Sequence, residues 1–110
     1  MNIDELVNSI EEAELRENLS RWVCEWKKDE SDIFALYDLV AKWHGNVWFK
    51  DEDKQNQFWL NLQSFNDGAI KTIGGMTVNE RLYCFGLFEE WENSKEADQL
   101  RIRGKLHASK

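Results

Sequence analysis

The sequence predicts an all-α protein, a compact bundle of about five or six helices with a central buried helix near residues 77–92. Three observations lead there. No proline occurs in 110 residues, so nothing forces a helix to stop in mid-run. Apolar residues recur at helical spacing along most of the chain. Side chains able to accept hydrogen bonds from free backbone N–H groups stand before several of these runs. At this length a single domain over residues 1–110 is expected, hiding roughly 65% of its unfolded surface. Six Trp and six Phe make an aromatic-rich core available.

Ile3, Leu6, Val7 and Ile10 share one face of a first helix. Leu15, Leu19, Trp22, Val23 and Trp26 share a face of a second stretch. On one straight helix these faces would differ by roughly a third of a turn, so a break is expected near residues 12–14. Lys27 and Lys28 suit the negative end of that helix. Ser31 is the expected N-cap of the next, with Asp32 in its first turn. Ile33, Leu36, Tyr37, Leu39, Val40 and Trp43 form its apolar face, and Gly45 is the expected C-cap. The run Val47-Trp48-Phe49 is either a strand fragment or a buried loop, and its length does not decide.

Asp51 opens another helix, with Asp51, Glu52 and Asp53 at its positive end. Phe58, Leu62 and Phe65 make the core stripe, flanked by Trp59 and Leu60. Asn66-Asp67-Gly68 ends it. Residues 69–73 read as a short connector, and Gly74-Gly75 as a break. Thr77 and Glu80 then form a capping box for a helix over residues 77–93. Its apolar residues Leu82, Tyr83, Cys84, Phe85, Leu87, Phe88 and Trp91 point nearly all round, which marks a buried helix. Ser94 caps a weaker last helix carrying Ala97, Leu100, Ile102 and Leu106.

The formal net charge of −7 argues against a basic face able to neutralise phosphates, so no direct nucleic-acid binding is expected. No apolar run approaches the ~20 residues of a membrane span. The acidic N-terminus, interrupted by charge, offers no secretion signal. A cytoplasmic protein with no membrane partner is expected. Cys24 and Cys84 fall in apolar helical patterns and read as buried thiols. A di-iron bundle needs Glu-x-x-His, but Ala41 and Gly104 precede His44 and His107 at that spacing. His44 reads as a helix-end residue favoured by the dipole. No Cys-x-x-Cys or His-x-x-x-His zinc spacing occurs, and Gly74-Gly75 lacks the Walker pattern. Asp51-Glu52-Asp53 lacks the ligand alternation of an EF-hand. No enzyme activity, metal or cofactor is expected.

What remains is surface. Acidic residues cluster at residues 11–14, 29–32, 51–53 and 89–92. Each cluster suits a solvated helix face, and together they suit a basic protein partner. Trp22, Trp26, Trp43 and Trp91 lie on apolar faces and are assigned to the core. Trp48 and Trp59 are the candidates for partial exposure, where Trp acts as an interface anchor. The candidate binding residues are therefore Trp48, Asp51, Glu52, Asp53, Trp59, Glu89, Glu90 and Glu92.

Thr77-Val78-Asn79-Glu80-Arg81-Leu82, followed by Gly86-Leu87-Phe88, resembles a segment of small bacterial immunity proteins. These accompany contact-dependent growth inhibition and other polymorphic toxins. The resemblance covers this helix and, faintly, the C-terminal tail. It implies a non-enzymatic cytoplasmic protein that binds and neutralises one cognate toxin domain, commonly a nuclease. Such families carry specificity on variable surfaces, so the string itself transfers no binding residue; Glu89, Glu90 and Glu92 are chosen from charge alone. Two other readings stand beside it: a helical adaptor or regulatory subunit, and a small enzyme using a carboxylate pair. Oligomeric state is open.

Overall fold

The computed structural model, which describes residues 1–107, is helical throughout, with no strand among the described residues. Asn2 opens α1 (Ile3–Asn8) with a capping box: its side chain accepts from Glu5 N, and Glu5 accepts from Asn2 N. Ile3, Leu6 and Val7 go to the core. The chain breaks at residues 9–12, where Arg16 donates back to the Ile10 carbonyl at 3.0 Å. α2 (Ala13–Lys28) then buries Leu19, Val23 and Trp26. The break answers the mismatch between the two apolar faces.

Asp32, not Ser31, caps α3 (Ile33–Asn46), accepting from Phe34 N and Ala35 N. Ser31 is held instead by Asp29, to which its N–H and hydroxyl both donate. Gly45 is not the C-cap: the helix runs one residue further, and Asn46 folds its amide back onto the Lys42 carbonyl. Val47 is extended, and residues 47–49 neither continue the helix nor pair into a sheet. Asp51 caps α4 (Glu52–Phe65) through Asp53 N, and Phe58, Leu62 and Phe65 form its buried stripe. Asn66-Asp67-Gly68 does not end the winding. A π-turn over Asn66–Ile70 extends it and buries Ala69 and Ile70. A 3-10 turn over Ile73–Gly75 follows.

The expected single central helix is two. Thr77 and Glu80 form the capping box of α5 (Val78–Cys84). The chain then turns at Gly86, whose φ is +64°, before α6 (Phe88–Glu92). Glycine reaches this left-handed conformation without a Cβ penalty. Space matters as well. A Cβ on Gly86 would collide with Asp4 Oδ2 and lie 3.0 Å from Lys27 Nζ. Leu82, Phe85 and Leu87 bury their side chains, whereas Tyr83 and Phe88 stay exposed. The bend thus divides an apolar girdle between a core side and a surface side.

Lys95, not Ser94, is the N-cap of α7 (Glu96–Lys105); the Ser94 hydroxyl donates to the Glu90 carbonyl. Ile102, Lys105 and Leu106 turn inward, and Leu100 turns out. Dividing the 77–93 segment raises the count to seven α-helices among the described residues. Their core is one cluster to which every helix except α6 contributes a buried residue. Edge-on aromatic contacts organise it: Phe85 meets Phe65 at 5.5 Å and Trp43 meets Phe58 at 5.5 Å. Trp22 and Trp91 only pack against this core half-buried. Cys24 is exposed and Cys84 half-buried, so neither is the fully buried thiol expected. Among the described residues no helix is long and apolar enough to cross a membrane.

Candidate protein-binding surface

The corner between α3 and α4 is built from the inside outward. Phe49 is buried against Trp43, His44 and Phe58, with centroid separations of 6.1–6.2 Å. The chain leaves α3 in extended conformation, with φ −116° and ψ 159° at Val47. Successive side chains along extended backbone point to opposite sides. Drawing Phe49 in therefore drives Trp48 out, and its ring is 87% exposed. The strand-or-buried-loop alternative for this run resolves into an unpaired connector with Phe49 in and Trp48 out.

Around Trp48 the sequence places Asp51, Glu52 and Asp53, all exposed. Asp51 spends one oxygen on the cap. The N-terminus of α4 stabilises all three carboxylates through its dipole, so the cluster exists at little electrostatic cost to the fold. Lys54 is tied to Glu11, which raises its pKa through that hydrogen bond and charge. Glu12 accepts from Lys50 N at 3.0 Å and anchors the loop to the start of α2. Trp59, one helical turn on from Gln55, is 40% exposed. Its inner face meets the His44 ring at 5.4 Å, and His44 stacks on Phe58 at 5.6 Å. His44 Nε2 donates to the Gln55 carbonyl at 3.1 Å. The histidine is thus a packing and bonding element between α3 and α4. Leu60 is exposed beside Trp59. The cavity beneath, lined in part by Glu11, Phe49, Lys54 and Phe58, measures ≈ 80 Å³. A small-molecule site needs several hundred Å³.

The second acidic group sits on α6. Glu89 and Glu92 are exposed and Glu90 is half-buried, with one carboxylate oxygen enclosed. Among the described residues, no hydrogen bond, ion pair or ring contact joins this group to residues 51–53. Trp48, Asp51, Glu52, Asp53 and Trp59 thus lie on the α3–α4 connector and α4, and Glu89, Glu90 and Glu92 on α6. The Arg103 guanidinium lies 5.5 Å above the half-buried Trp91 ring.

The familiar string serves the scaffold. Thr77 and Glu80 cap α5, and the backbone N–H of Thr77 holds the Glu80 carboxyl below its usual range. Arg81 donates from Nε to the Met76 carbonyl and from Nη1 to the carbonyls of Leu106 and His107. Leu82 is core, and Gly86 makes the bend. Sequence reading missed the exposed pair Tyr83 and Phe88. The available signal was an apolar girdle wider than one helix could bury. Among the described residues, no group of three or more His, Cys, Asp or Glu side chains is placed to hold a metal ion. Comparison of the chain with protein-family models, with curated proteins and with solved structures found no match.

Proposed function

We propose that this chain is an immunity protein that neutralises a cognate bacterial toxin in the cytoplasm, binding it as a protein and performing no chemistry itself. The observation that carries the binding part is Trp48, a large aromatic residue held in water three positions before the exposed acidic run Asp51-Glu52-Asp53. Trp buried at the centre of a contact is among the strongest anchors, and surrounding charge selects and steers the partner. The toxin assignment rests on the resemblance of the α5–α6 string to immunity proteins. A nuclease domain is the best-matched partner, because a surface that grips phosphate is basic and complements this corner.

The test is direct. The purified chain is mixed with the toxin domain encoded immediately upstream, and complex formation and toxin activity are measured. A stoichiometric complex that abolishes the activity is expected. No complex at micromolar concentration, or a complex that leaves the toxin active, overturns the proposal.

A further inference from the structure

The bend at Gly86 leaves Tyr83 and Phe88 facing solvent, 52% and 39% exposed, on adjoining turns of α5 and α6. On one side of this pair, Met76, Cys84, Asn79 and Glu80 complete a mainly apolar groove of ≈ 320 Å³. On the other side the same two rings border a groove of ≈ 250 Å³ with a mixed lining that includes Asp4, Lys27, Glu89 and Glu90. Lys27 is the cation lining these grooves, and it is already held by Asp4 at 2.9 Å. With that pair neutral as a unit, Glu80, Glu89 and Glu90 leave the rim negative.

We infer that this elbow docks a cationic amphipathic segment of a partner protein. An apolar side chain of the segment seats between Met76, Cys84 and Phe88, and its Lys or Arg residues face Glu89 and Glu90. Charge complementarity chooses this occupant. An anionic membrane surface is repelled by the rim. A second copy in a two-fold contact would set the same glutamates against each other. An apolar seat beside carboxylates is the arrangement that a helix with alternating apolar and basic faces satisfies. The inference does not depend on what Trp48 meets, because the two surfaces share no residue.

The experiment uses the full chain carrying Cys24→Ser, so that Cys84 is its thiol, and a short synthetic helix built only of leucine and lysine. A leucine–glutamate helix of the same pattern is the control. The readouts are the rate of Cys84 alkylation by iodoacetamide and peptide affinity by anisotropy. The leucine–lysine helix should slow alkylation about fivefold or more, as a seated side chain shields the thiol, and the control should not. Phe88→Ala should weaken affinity about tenfold, equivalent to about 1.4 kcal/mol. Glu89→Lys, at an exposed position that leaves folding intact, should weaken it most at low salt. Trp48→Ala should leave it unchanged. Absence of binding, binding without Cys84 protection, equal protection by the acidic helix, or indifference to Glu89→Lys would each overturn the inference. So would protection that rises with protein concentration alone, which assigns the groove to a second copy.

Discussion

Lys105, on the last helix, places its ammonium 2.8 Å from the carboxylate of Asp29 just past the end of α2. The side chain is fully buried, and each of its three N–H donors has a partner: Asp29 Oδ1, the Asp29 carbonyl at 2.7 Å and the Ser31 carbonyl at 2.8 Å. The Trp26 ring lies 4.4 Å away on another side. Arg101 adds bonds to the carbonyls of Lys27 and Asp29. Two cations of α7 thus satisfy backbone acceptors that α2 leaves unpaired at its C-terminus.

Replacing Lys105 by Ala takes this donor from the Ser31 carbonyl and the Asp29 carboxylate and leaves the Asp29 carbonyl to Arg101 alone. A destabilisation of about 2–4 kcal/mol is expected, in the range of lost hydrogen bonds to charged groups. Asp29→Asn should cost about 1 kcal/mol, because both carbonyl acceptors remain and the Asp29 side chain is half-exposed. Urea unfolding of the two variants measures the difference. Equal losses would mean that the ion pair, and not the backbone bonds, secures α7.

Acid should weaken the fold through the same corner. Burial pushes the carboxyls of Asp29 and Asp32 up, but hydrogen bonds outweigh it and both end below their ordinary range. For Asp29 the bonds come from Lys105 and Ser31; for Asp32, from Ala35 N and His107. A lowered carboxylate pKa contributes stability above the ordinary range, about pH 4, which is lost as pH falls through the lowered values. The urea midpoint should therefore drop below about pH 4, and the combined Asp29→Asn and Asp32→Asn variant should show a shallower drop. Lys105 follows the same direction in a different window: burial lowers its pKa, so its titration adds stability only as pH rises through that lowered value toward the ordinary lysine value. A variant with an unchanged acid slope would remove these two aspartates from the account.

Gly86→Ala should cost about 1–3 kcal/mol, combining a left-handed backbone with displacement of Asp4 and Lys27. Adding Asp4→Ala vacates the space and leaves the backbone cost. The double variant should lose less than the sum of the two single ones, as contacting residues couple. Strict additivity in thermal or urea melts would show that the close approach carries no energy.

Trp48→Ala should leave stability within about 0.5 kcal/mol, since almost the whole ring is already in water. Toxin binding should weaken by about 2 kcal/mol or more. Reversing Glu52 and Asp53 to Lys, which spares the Asp51 cap, should slow association more at low salt than at high. Unchanged association at every ionic strength would detach this acidic corner from the interface.

Much of this architecture was legible residue by residue. The Asp51 cap, the stripe Phe58-Leu62-Phe65 and the Thr77–Glu80 box are local: their partners lie within one or two helical turns. The exposure of Trp48 and Trp59 was also legible, because neither fits the core stripes on either side. Ser31 and Asp32, by contrast, are both good caps. The choice fell to Asp32 because Asp29 captures Ser31 while Lys105 binds the carbonyl of that same serine. Tyr83 and Phe88 read as core because helical periodicity does not reveal a bend.

Helical class, the caps of α4 and α5 and the acidic surface follow from local sequence, since propensity, caps and charge act over a few residues. Tertiary structure decided where the chain bends at Gly86, which aromatics of that segment reach water, and that Lys105 is buried. Each of those outcomes depends on a group from a distant part of the chain. Asp4 and Lys27 crowd the Gly86 turn, and the carbonyls after α2 supply what an ammonium needs before it can leave water.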